Sequence, residues 1–398
     1  MNLLQLCIKP PYPPVDGGTL AMHSITQGLL DAGHRVKVLA VCSDKHPVLH
    51  DQMTDAYRQQ TQFEAVHIDL RPHLLPALYA MLSGESYHVR RYRSAAFADK
   101  LREVLQTARY DVVLVEGLFL TPYIPMIRQH SHAQVVLRAH NVEHRIWEQM
   151  AQGCHIPLKR GYLKHLALTL RHYELEHIND YDAVVCISPA DADLFRQNGC
   201  RRPLTSIPFG INPEPMEHID VEPASLFHLG SMDWMPNVEG IDWFLQSVWP
   251  RLHAEVPQAR LYLAGRKMPR RLIDHQPDGV TVVGEVADAM YFIASKQINV
   301  VPLLSGSGIR VKIIEAMSVG KTVVTTRVGA RGIDARDGEH LLLADTADDF
   351  VRQIRRCIEE PEYCQQIGRN AYQLIADTYN IETLTQQLIE FLCATQVS

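Results

Sequence analysis

The chain has 398 residues, of which 46 % are hydrophobic and 21 % charged, and its formal net charge is −6 at pH 7. This length exceeds what one hydrophobic core usually supports, so we expect two domains. The negative charge argues against a protein that binds nucleic acid over its whole surface. No apolar stretch is long enough to span a bilayer.

Charge is divided unevenly along the chain. Residues 1–205 carry 22 Lys and Arg against 20 Asp and Glu, whereas residues 206–398 carry 17 against 25. Fifteen of the 20 histidines lie in the first part, which therefore becomes more positive in mildly acidic surroundings. The eight cysteines form no C-x-x-C pair and the start resembles no signal peptide. These features favour reduced thiols in a cytoplasmic protein, with any membrane contact peripheral.

The first half alternates predicted strands and helices. The buried-strand pattern "NLLQLCI" is followed by the loop "KPPYPPVDGGT", a predicted helix over 20–32 and the strand "HRVKVLAV". Four more strand-like segments follow, mostly separated by helical stretches: "FEAVHIDL", "DVVLVEG", "AQVVLRAH" and "DAVVCIS". Such alternation is typical of a parallel, doubly wound sheet.

Five prolines between residues 203 and 224 predict a linker, because proline disfavours long helices and central strands. The alternation then restarts with "SLFHLGS" and a helix over 238–248, continues through helices over 287–295 and 309–319, and reads helical after 347. We therefore predict an α/β fold of two Rossmann-like, doubly wound domains. Chemistry is expected in a cleft between the carboxyl ends of their sheets.

The stretch "SGSGIRVKIIEAMSVG", residues 305–320, combines a glycine-rich turn with a predicted helix start. Glycines allow close backbone approach to a ligand, and a helix N-terminus attracts anions. Lys312 and Glu315 share one helix face, with Gly308 one turn before Lys312. A cation in the first turn of a helix is disfavoured by the dipole, so a bound diphosphate would explain Arg310 and Lys312. The alternative is an ordinary turn with solvated charges.

Segments along nearly the whole chain resemble the retaining, GT-B-fold glycosyltransferases of family 4. "VVPLLSGSGIRVKIIEAMSVGKTVV" resembles their carboxyl-terminal signature, and "LRAHNVEHRIWEQMA" resembles their HNxE segment. "VVCISPADADLF" and "SIPFGIN" resemble two further segments, in the family's order. "FHLGSMDWMPNVEGIDWFL" resembles a bacterial polysaccharide-type subgroup that carries G-S-M-x-W-x-P-N.

The resemblance implies a GT-B architecture with the two domains facing each other across a cleft. It assigns residues 1–205 to an acceptor domain and residues 206–375 to a nucleotide-sugar donor domain. Residues 376–398 are expected to form a helix that packs back on the first domain.

Glu315 matches the second acid of the family's E-x7-E motif, which the resemblance assigns to the ribose hydroxyls of the nucleotide. The first acid, which contacts the donor sugar, is replaced by Ser307. The cations that many members carry in the first loop of the second domain are missing from "GSMDWMPN". Arg310 and Lys312 are therefore expected to hold the diphosphate with Gly308, and both are assigned catalytic roles.

Other donor-binding candidates follow from the same resemblance. Arg266 is a reserve cation together with Lys267, although both also fit exposed strand-end charges. Val286 is included among the donor contacts. Gly17 and Gly18 match the glycine loop of the first domain; a dinucleotide site is the rival interpretation, but "DGGTLAM" lacks G-x-G-x-x-G.

His140 is the catalytic candidate of the first domain. It follows the strand "AQVVLRA", and its position matches a family residue near the anomeric carbon of the donor. Asn141 and Glu143 are weaker candidates. Ser188 and Asp191 fit an ordinary helix cap better than a ligand site.

The expected activity is retaining transfer of a sugar from a nucleoside-diphosphate sugar to an acceptor hydroxyl, without a covalent enzyme intermediate. We expect no cofactor and no metal. The acceptor is expected to be a sugar or a lipid-linked sugar of a bacterial surface polysaccharide or glycolipid. The segment 158–177, with apolar Leu163, Leu166, Leu170 and Tyr173, fits a helix covering the sheet, or an interfacial helix at the inner membrane.

Two other functions remain open from the sequence. One is a nucleotide-sugar epimerase on the same fold. The other is a non-catalytic subunit that binds nucleotide sugars, which the replacement of the first acid by Ser307 would suit. The base, the donor sugar, the linkage and the oligomeric state are not determined by the sequence.

Overall fold

The computed structural model describes residues 1–154, 156–213, 219–306 and 308–396. The chain divides into two compact units, one comprising Met1–Gly210 with Ile381–Ser398 and the other Ile211–Asn380. Each unit contains one parallel sheet with helices against it, which confirms the predicted α/β fold with two Rossmann-like domains.

The first unit is built on a seven-stranded sheet in the order β3-β2-β1-β4-β5-β6-β7. All of its pairings are parallel. The central strands are buried on both faces, as their continuous apolar runs predict. The strands are β1 Asn2–Cys7, β2 Arg35–Cys42, β3 Glu64–His67, β4 Val112–Glu116, β5 Gln134–Ala139, β6 Ala183–Cys186 and β7 Leu204–Ser206.

Nine α-helices connect these strands in the described part of the unit, with short 3₁₀ segments at His50–Gln52, Leu118–Tyr123 and Ile178–Asp180. The helices are α1 Gly17–Asp31, α2 Asp55–Thr61, α3 Leu74–Ser83, α4 Tyr87–Arg90, α5 Ala95–Thr107, α6 Ile124–His130, α7 Glu143–Gln152, α8 Pro157–His177 and α9 Pro189–Gln197.

The second unit has a six-stranded, parallel sheet in the order β10-β9-β8-β11-β12-β13. Its strands are β8 Ser225–Leu229, β9 Arg260–Ala264, β10 Val280–Gly284, β11 Ile298–Val301, β12 Thr322–Thr325 and β13 Leu342–Leu343. Its helices are α10 Met235–Trp243, which continues as a π-helical turn Phe244–Val248, α11 Trp249–Glu255, α12 Arg270–Asp274, α13 Ala289–Ala294, α14 Val311–Ser318, α15 Arg327–Ala330, α16 Ala347–Glu359 and α17 Pro361–Thr378.

The last helix, α18 (Ile381–Gln396), belongs to the first unit. Its apolar residues Leu384, Leu388 and Leu392 are buried in the same core cluster as α1 and β1. A side chain at Gly28 of α1 would collide with Thr385, because an ideal Cβ there lies 1.9 Å from the threonine Oγ1. A glycine on α1 therefore permits this close helix contact.

The segment 158–177 forms helix α8, whose apolar stripe is turned towards the protein. Leu163, Leu166 and Leu170 are buried within the first unit, and Tyr173 is partly buried. This apolar stripe faces the protein, as an ordinary covering helix requires, but Leu166 and Leu170 pack against α3, α4 and the 3₁₀ segment after β4 rather than on the sheet. Among the described residues, no helix combines the length and apolar character that spanning a bilayer requires.

Candidate functional site

The carboxyl ends of β8 and β11 form the centre of the candidate site in the second unit. The two strands are neighbours in the sheet, and the chain continues from β8 to β9 on one side and from β11 to β12 on the other. Ligands of open α/β sheets bind at such a switch in strand order. A ligand at this switch point would therefore meet the loops that follow these two strands.

The loop after β11 is shaped by glycine and arginine. Gly308 has φ +78°, a left-handed conformation that disfavours other residues. The Arg310 guanidinium donates to the Gly308 carbonyl at 2.9 Å and lies 5.4 Å from the centre of the Trp234 ring. Ser307 lies outside the described residues.

The position of Arg310 differs from the prediction. Helix α14 begins at Val311 rather than at 309, and Arg310 is its N-cap residue with extended backbone, so this cation precedes the first turn. Its side chain is buried, and burial, followed by the nearby Arg331, lowers its pKa to about 10. Arg310 therefore remains charged at neutral pH.

Lys312 lies in the first turn of α14, as predicted, and its amino group is held by one residue of β8 and one residue of α10. It donates to Asn237 Oδ1 at 2.7 Å and lies 3.2 Å from His228 Nε2. His228 Nδ1 lies 2.9 Å from the Val300 carbonyl, to which it donates, so Nε2 accepts from the lysine. Burial, and then Lys312, lower the pKa of His228 well below its usual range, which keeps the ring neutral.

Glycine is required where these side chains meet the β8 loop. An ideal Cβ on Gly230 would lie 2.4 Å from Lys312 Nζ and 2.8 Å from Asn237 Nδ2. Asn237 also donates to the Ser231 carbonyl at 2.8 Å, which fixes the orientation of its amide. The lysine is therefore positioned by the packing of the unit rather than extended into solvent.

Burial changes the ionisation of the site. It lowers the pKa of Lys312 to about 7, assisted by Arg310 and opposed by Glu315. Burial likewise raises the pKa of Glu315, and Lys312 partly offsets that rise. The protein thus keeps Lys312 at the N-terminus of α14 although burial disfavours its charged form. Such a site is suited to bind an anionic ligand.

The other predicted donor residues of the second unit lie on neighbouring loops. Arg266 is exposed after β9, and its carbonyl accepts from Met232 NH at 2.9 Å, which places it beside the β8 loop. Lys267 is exposed and has φ +60°. Val286 is half-buried in the loop after β10, an edge strand separated from β8 by β9.

His140 of the first unit is anchored by a buried carboxylate at the carboxyl ends of β4 and β5. Its Nε2 lies 2.6 Å from Glu116 Oε2. Glu116 is fully buried and also accepts from Gln5 at 2.8 Å and from Arg138 at 3.3 Å. Burial alone would raise the pKa of Glu116, but Arg138 and His140 outweigh it and lower that pKa.

This geometry fixes the roles of the two ring nitrogens of His140. The carboxylate holds Nε2 as the protonated nitrogen, which leaves Nδ1 to interact elsewhere. The side chain is 12 % exposed, so it is largely enclosed yet still accessible to a ligand. Such a histidine is oriented well enough to contact a reacting group.

We expect His140→Ala to lower kcat for sugar transfer by about 10²-fold, within the range of a positioned histidine. The Kd for the nucleotide should change less than threefold, because the site in the second unit is untouched. His132→Ala is the matched control, since this exposed histidine precedes the same strand at its other end. Equal kcat values for the two variants would remove His140 from the catalytic set.

Gly17 and Gly18 are not in a loop, contrary to the prediction, but in the first turn of α1. The helix starts early because Asp16 caps it: the Asp16 carboxylate accepts from Thr19 NH at 2.9 Å. Lys9 holds the same carboxylate at 2.7 Å, and an ideal Cβ on Gly18 would lie 3.0 Å from Lys9 Nζ. The absence of a side chain at Gly18 therefore leaves room for the Lys9 amino group beside the N-terminal turn of α1.

The weaker candidates, Asn141 and Glu143, lie at the start of α7. Glu174 accepts from the backbone NH of Glu143 at 2.9 Å and from His144 Nδ1 at 2.6 Å. Burial and then Glu174 raise the pKa of Glu143 to about 8, while a hydrogen bond with Asn141 opposes the rise. Glu143 is therefore largely protonated at neutral pH.

Ser188 caps α9, since its side chain accepts from Asp191 NH at 3.2 Å, as the ordinary interpretation of this segment predicts. Within the described ranges, the structure brings together no group of three His, Cys, Asp or Glu side chains able to hold a metal ion.

Sequence reasoning missed His228, Asn237 and Glu116. Each is a polar residue that is almost fully buried, at 0 %, 3 % and 0 % exposure. The sequence does carry a signal for two of them. His228 in "SLFHL" and Glu116 in "VVLVE" are polar residues inside apolar strand patterns, which indicates a buried polar group with a partner.

Two family models match the chain. One, described as glycosyltransferase family 4, matches residues 15–215, and the other, described as glycosyl transferases group 1, matches residues 223–360. An uncharacterised 44.6 kDa protein of the cps region of Klebsiella pneumoniae is 22 % identical over 384 residues, covering 93 % of this chain and 94 % of that protein.

Solved structures share the fold at low sequence identity. Sucrose-phosphate synthase from Thermosynechococcus elongatus has a TM-score of 0.72 at 18 % identity and 99 % coverage of both chains. HepE of Anabaena in complex with UDP has a TM-score of 0.68 at 16 % identity, covering 99 % of this chain and 100 % of its own. TarM of S. aureus has a TM-score of 0.69 at 12 % identity, covering 98 % of this chain and 99 % of its own.

Proposed function

This chain belongs to glycosyltransferase family 4 and is a sugar transferase, and we propose that it is a retaining enzyme that uses a nucleoside-diphosphate sugar. The observation that carries the proposal is the position of Lys312. Its amino group is fixed between His228 and Asn237, in the first turn of a helix that follows a glycine loop at the switch in strand order. A diphosphate is the part of the donor that suits this site.

We assign the parts of the donor to named groups. The diphosphate lies on the loop at Gly308 and the N-terminus of α14, where Lys312 and Arg310 balance its charge. Glu315, one turn further on the same face, accepts hydrogen bonds from the ribose hydroxyls. Gly17, Gly18 and His140 contribute from the first unit, and Arg266 and Val286 remain further donor contacts.

In the proposed reaction the bond between the anomeric carbon and the diphosphate oxygen breaks, and its electron pair stays on the diphosphate. The acceptor oxygen forms the new bond on the same face of the sugar and loses its proton to the departing diphosphate. Fixed cations at the leaving group stabilise the charge that develops there. No enzyme carboxylate is needed as a nucleophile and no metal is assigned.

The Klebsiella relative from a cps region and the family membership support a role in bacterial surface polysaccharide or glycolipid synthesis. The acceptor we propose is a sugar or a lipid-linked sugar. All eight cysteines are free, which fits the cytoplasm, and we place the enzyme there, at the inner face of the membrane.

The test begins with a donor screen. Thermal stabilisation by a panel of nucleoside diphosphates and their sugars identifies the donor, because a ligand that binds only the native state raises its stability. UDP is included because HepE of Anabaena was solved with UDP and UDP-glucose. Transfer to cell-envelope lipid extract is then followed by release of the diphosphate.

Three outcomes of the transfer assay separate the candidate functions. A product with the anomeric configuration of the donor supports the proposal, and an inverted product rejects retention. An altered sugar formed without an acceptor identifies an epimerase. Binding without any turnover identifies a non-catalytic subunit.

We also expect nucleotide binding to take up a proton above pH 7. Lys312, whose pKa is about 7, is then mostly neutral in the free protein, but the diphosphate binds its cation. Phosphate groups, with a second pKa of about 6, are already ionised at pH 8. The affinity for UDP should therefore fall as pH rises from 7 to 9.

Calorimetry in two buffers of different ionisation enthalpy measures this uptake directly. Close to one proton should be bound per UDP at pH 8 and much less at pH 6. Uptake that persists in Lys312→Met would assign the proton to another group.

A further inference from the structure

Helix α3 of the first unit presents a large apolar surface to solvent. The helix contains no charged residue, and six of its large apolar side chains are between 43 % and 90 % exposed. They are Leu74, Leu75, Leu78, Tyr79, Met81 and Leu82. Isolated exposed leucines are ordinary, but six on one helix form a continuous patch of a kind that marks an interaction site.

The inner face of α3 explains why the outer face is uncovered. Ala80 is buried with Leu166 of α8 and Tyr87 of α4, and Ala77 and Trp147 pack against the same cluster. The residues of α3 that enter this cluster are therefore small. The larger side chains of α3 lie on the opposite face, which the rest of the unit leaves largely exposed, so they add little to the core.

The segments that flank this patch carry an excess of basic residues although the protein as a whole is negative. Residues 69–93 and 156–173, which contain α3 and the neighbouring part of α8, carry eight Lys and Arg against two Asp and Glu. Lys159, Arg160 and Lys164 on α8 are exposed, and no acidic residue occurs between 156 and 173. Leu158 and Leu168 add further exposed apolar surface on the same helix, at 88 % and 63 %.

We propose that the outer face of α3, together with the exposed part of α8, docks on the surface of an anionic lipid bilayer. An apolar helix face that lies among basic residues is the pattern of interfacial helices, which insert side chains below the headgroups while cations bind the anionic lipid. The Arg90 guanidinium lies 4.4 Å from the centre of the Tyr79 ring. In this proposal the two residues place a cation and an aromatic ring at the level of the headgroups.

This proposal deepens the proposed function, since it names the surface that would hold the enzyme beside a lipid-linked acceptor. The surface differs from the buried stripe of α8 on which the sequence prediction of an interfacial helix rested. The donor site belongs to the second unit and shares no residue with this surface, so the two can be tested separately.

The experiment is vesicle flotation with the full chain. The protein is mixed with vesicles of phosphatidylcholine alone or of equal parts of phosphatidylcholine and phosphatidylglycerol. We expect it to float with the anionic vesicles only, and high salt to reduce the bound fraction. Leu74→Gln, Leu75→Gln and Leu82→Gln combined should reduce that fraction at least tenfold.

The matched control is Val221→Gln, Ile273→Gln and Val283→Gln, three similarly apolar, exposed positions of the second unit, and it should float like the wild type. Both triple variants should keep the wild-type affinity for UDP, which separates this proposal from that of the donor site.

Failure of the wild type to float, or equal flotation of the α3 variant, overturns the proposal. A wild-type dimer in solution that the α3 variant converts to a monomer also overturns it, because a second copy then covers this face.

Discussion

Lys312→Ala is expected to lower kcat/KM for sugar transfer by about 10²–10³-fold, the effect of removing one fixed donor from a developing anion. The expectation follows from the geometry of the wild-type side chain. His228 and Asn237 hold the amino group in place before a ligand arrives, so the cation requires no reorganisation when charge builds on the diphosphate. The sequence has no other lysine between residues 302 and 320.

The control for this variant is Lys296→Ala. Lys296 belongs to the same unit and pairs with Glu222 at 2.6 Å. It precedes β11, so it lies at the opposite end of that strand from the loop that holds Gly308. It should retain full activity. Thermal unfolding of Lys312→Ala should change little, because the variant also removes a partly buried charge. Near wild-type turnover in a folded Lys312→Ala protein would show that the diphosphate binds elsewhere.

Glu315→Ala should weaken binding of the nucleotide and of the donor by about 10²-fold, since each hydrogen bond to a charged group contributes about 1.5–3 kcal/mol. Glu315 is half-buried, one turn beyond Lys312 on the same face of α14, where a carboxylate can accept from two adjacent hydroxyls. Burial raises its pKa, so its charge is also sensitive to the ligand.

Deoxyribose nucleotides test this role sharply. The wild type should bind 2′-deoxy-UDP more weakly than UDP, whereas Glu315→Ala should bind the two alike, because the group that reads the hydroxyl is gone. Glu339→Ala, a surface acid paired with Arg336, is the control and should behave like the wild type. Unchanged discrimination in Glu315→Ala would assign the ribose to another residue.

The alternation of strands and helices predicted both sheets except for their edge strands β7 and β13, of which β7 lies in the predicted linker. Apolar runs of strand length bounded by glycine and proline carry a strong local signal, whereas these two strands are only three and two residues long. Helix starts were less accurate. α1 begins at Gly17 instead of residue 20, since the Asp16 cap overrides the low helix propensity of two glycines. Likewise, α14 begins two residues later than predicted. Arg310 is therefore the N-cap residue, and its side chain donates to the carbonyl of Gly308 in the preceding loop.

Lys312 and Glu315 could be identified from the sequence because the loop, the helix and both side chains lie in one segment. Their partners could not. His228 is 84 residues before Lys312, and it reaches the lysine only because β8 and β11 are adjacent. Glu116 and His140 meet in the same way across β4 and β5. Strand order, which a single sequence does not reveal, creates both contacts.

Hydrophobic periodicity does not indicate which helix of the first unit presents an apolar face to solvent. The regular stripe of α8 is buried, whereas α3 is apolar almost all round and therefore has no clear periodicity. Only its packing through Ala77 and Ala80 shows which side is exposed.

The central claim is that the loop after β11 and the first turn of α14 bind the nucleoside diphosphate of the donor. Isothermal calorimetry with the nucleotide selected by the donor screen tests it most directly, on the wild type, Lys312→Ala and Glu315→Ala. We predict binding at one site in the wild type and at least about tenfold weaker binding in each variant, the loss of one charged contact. Equal affinities in all three proteins would contradict the account.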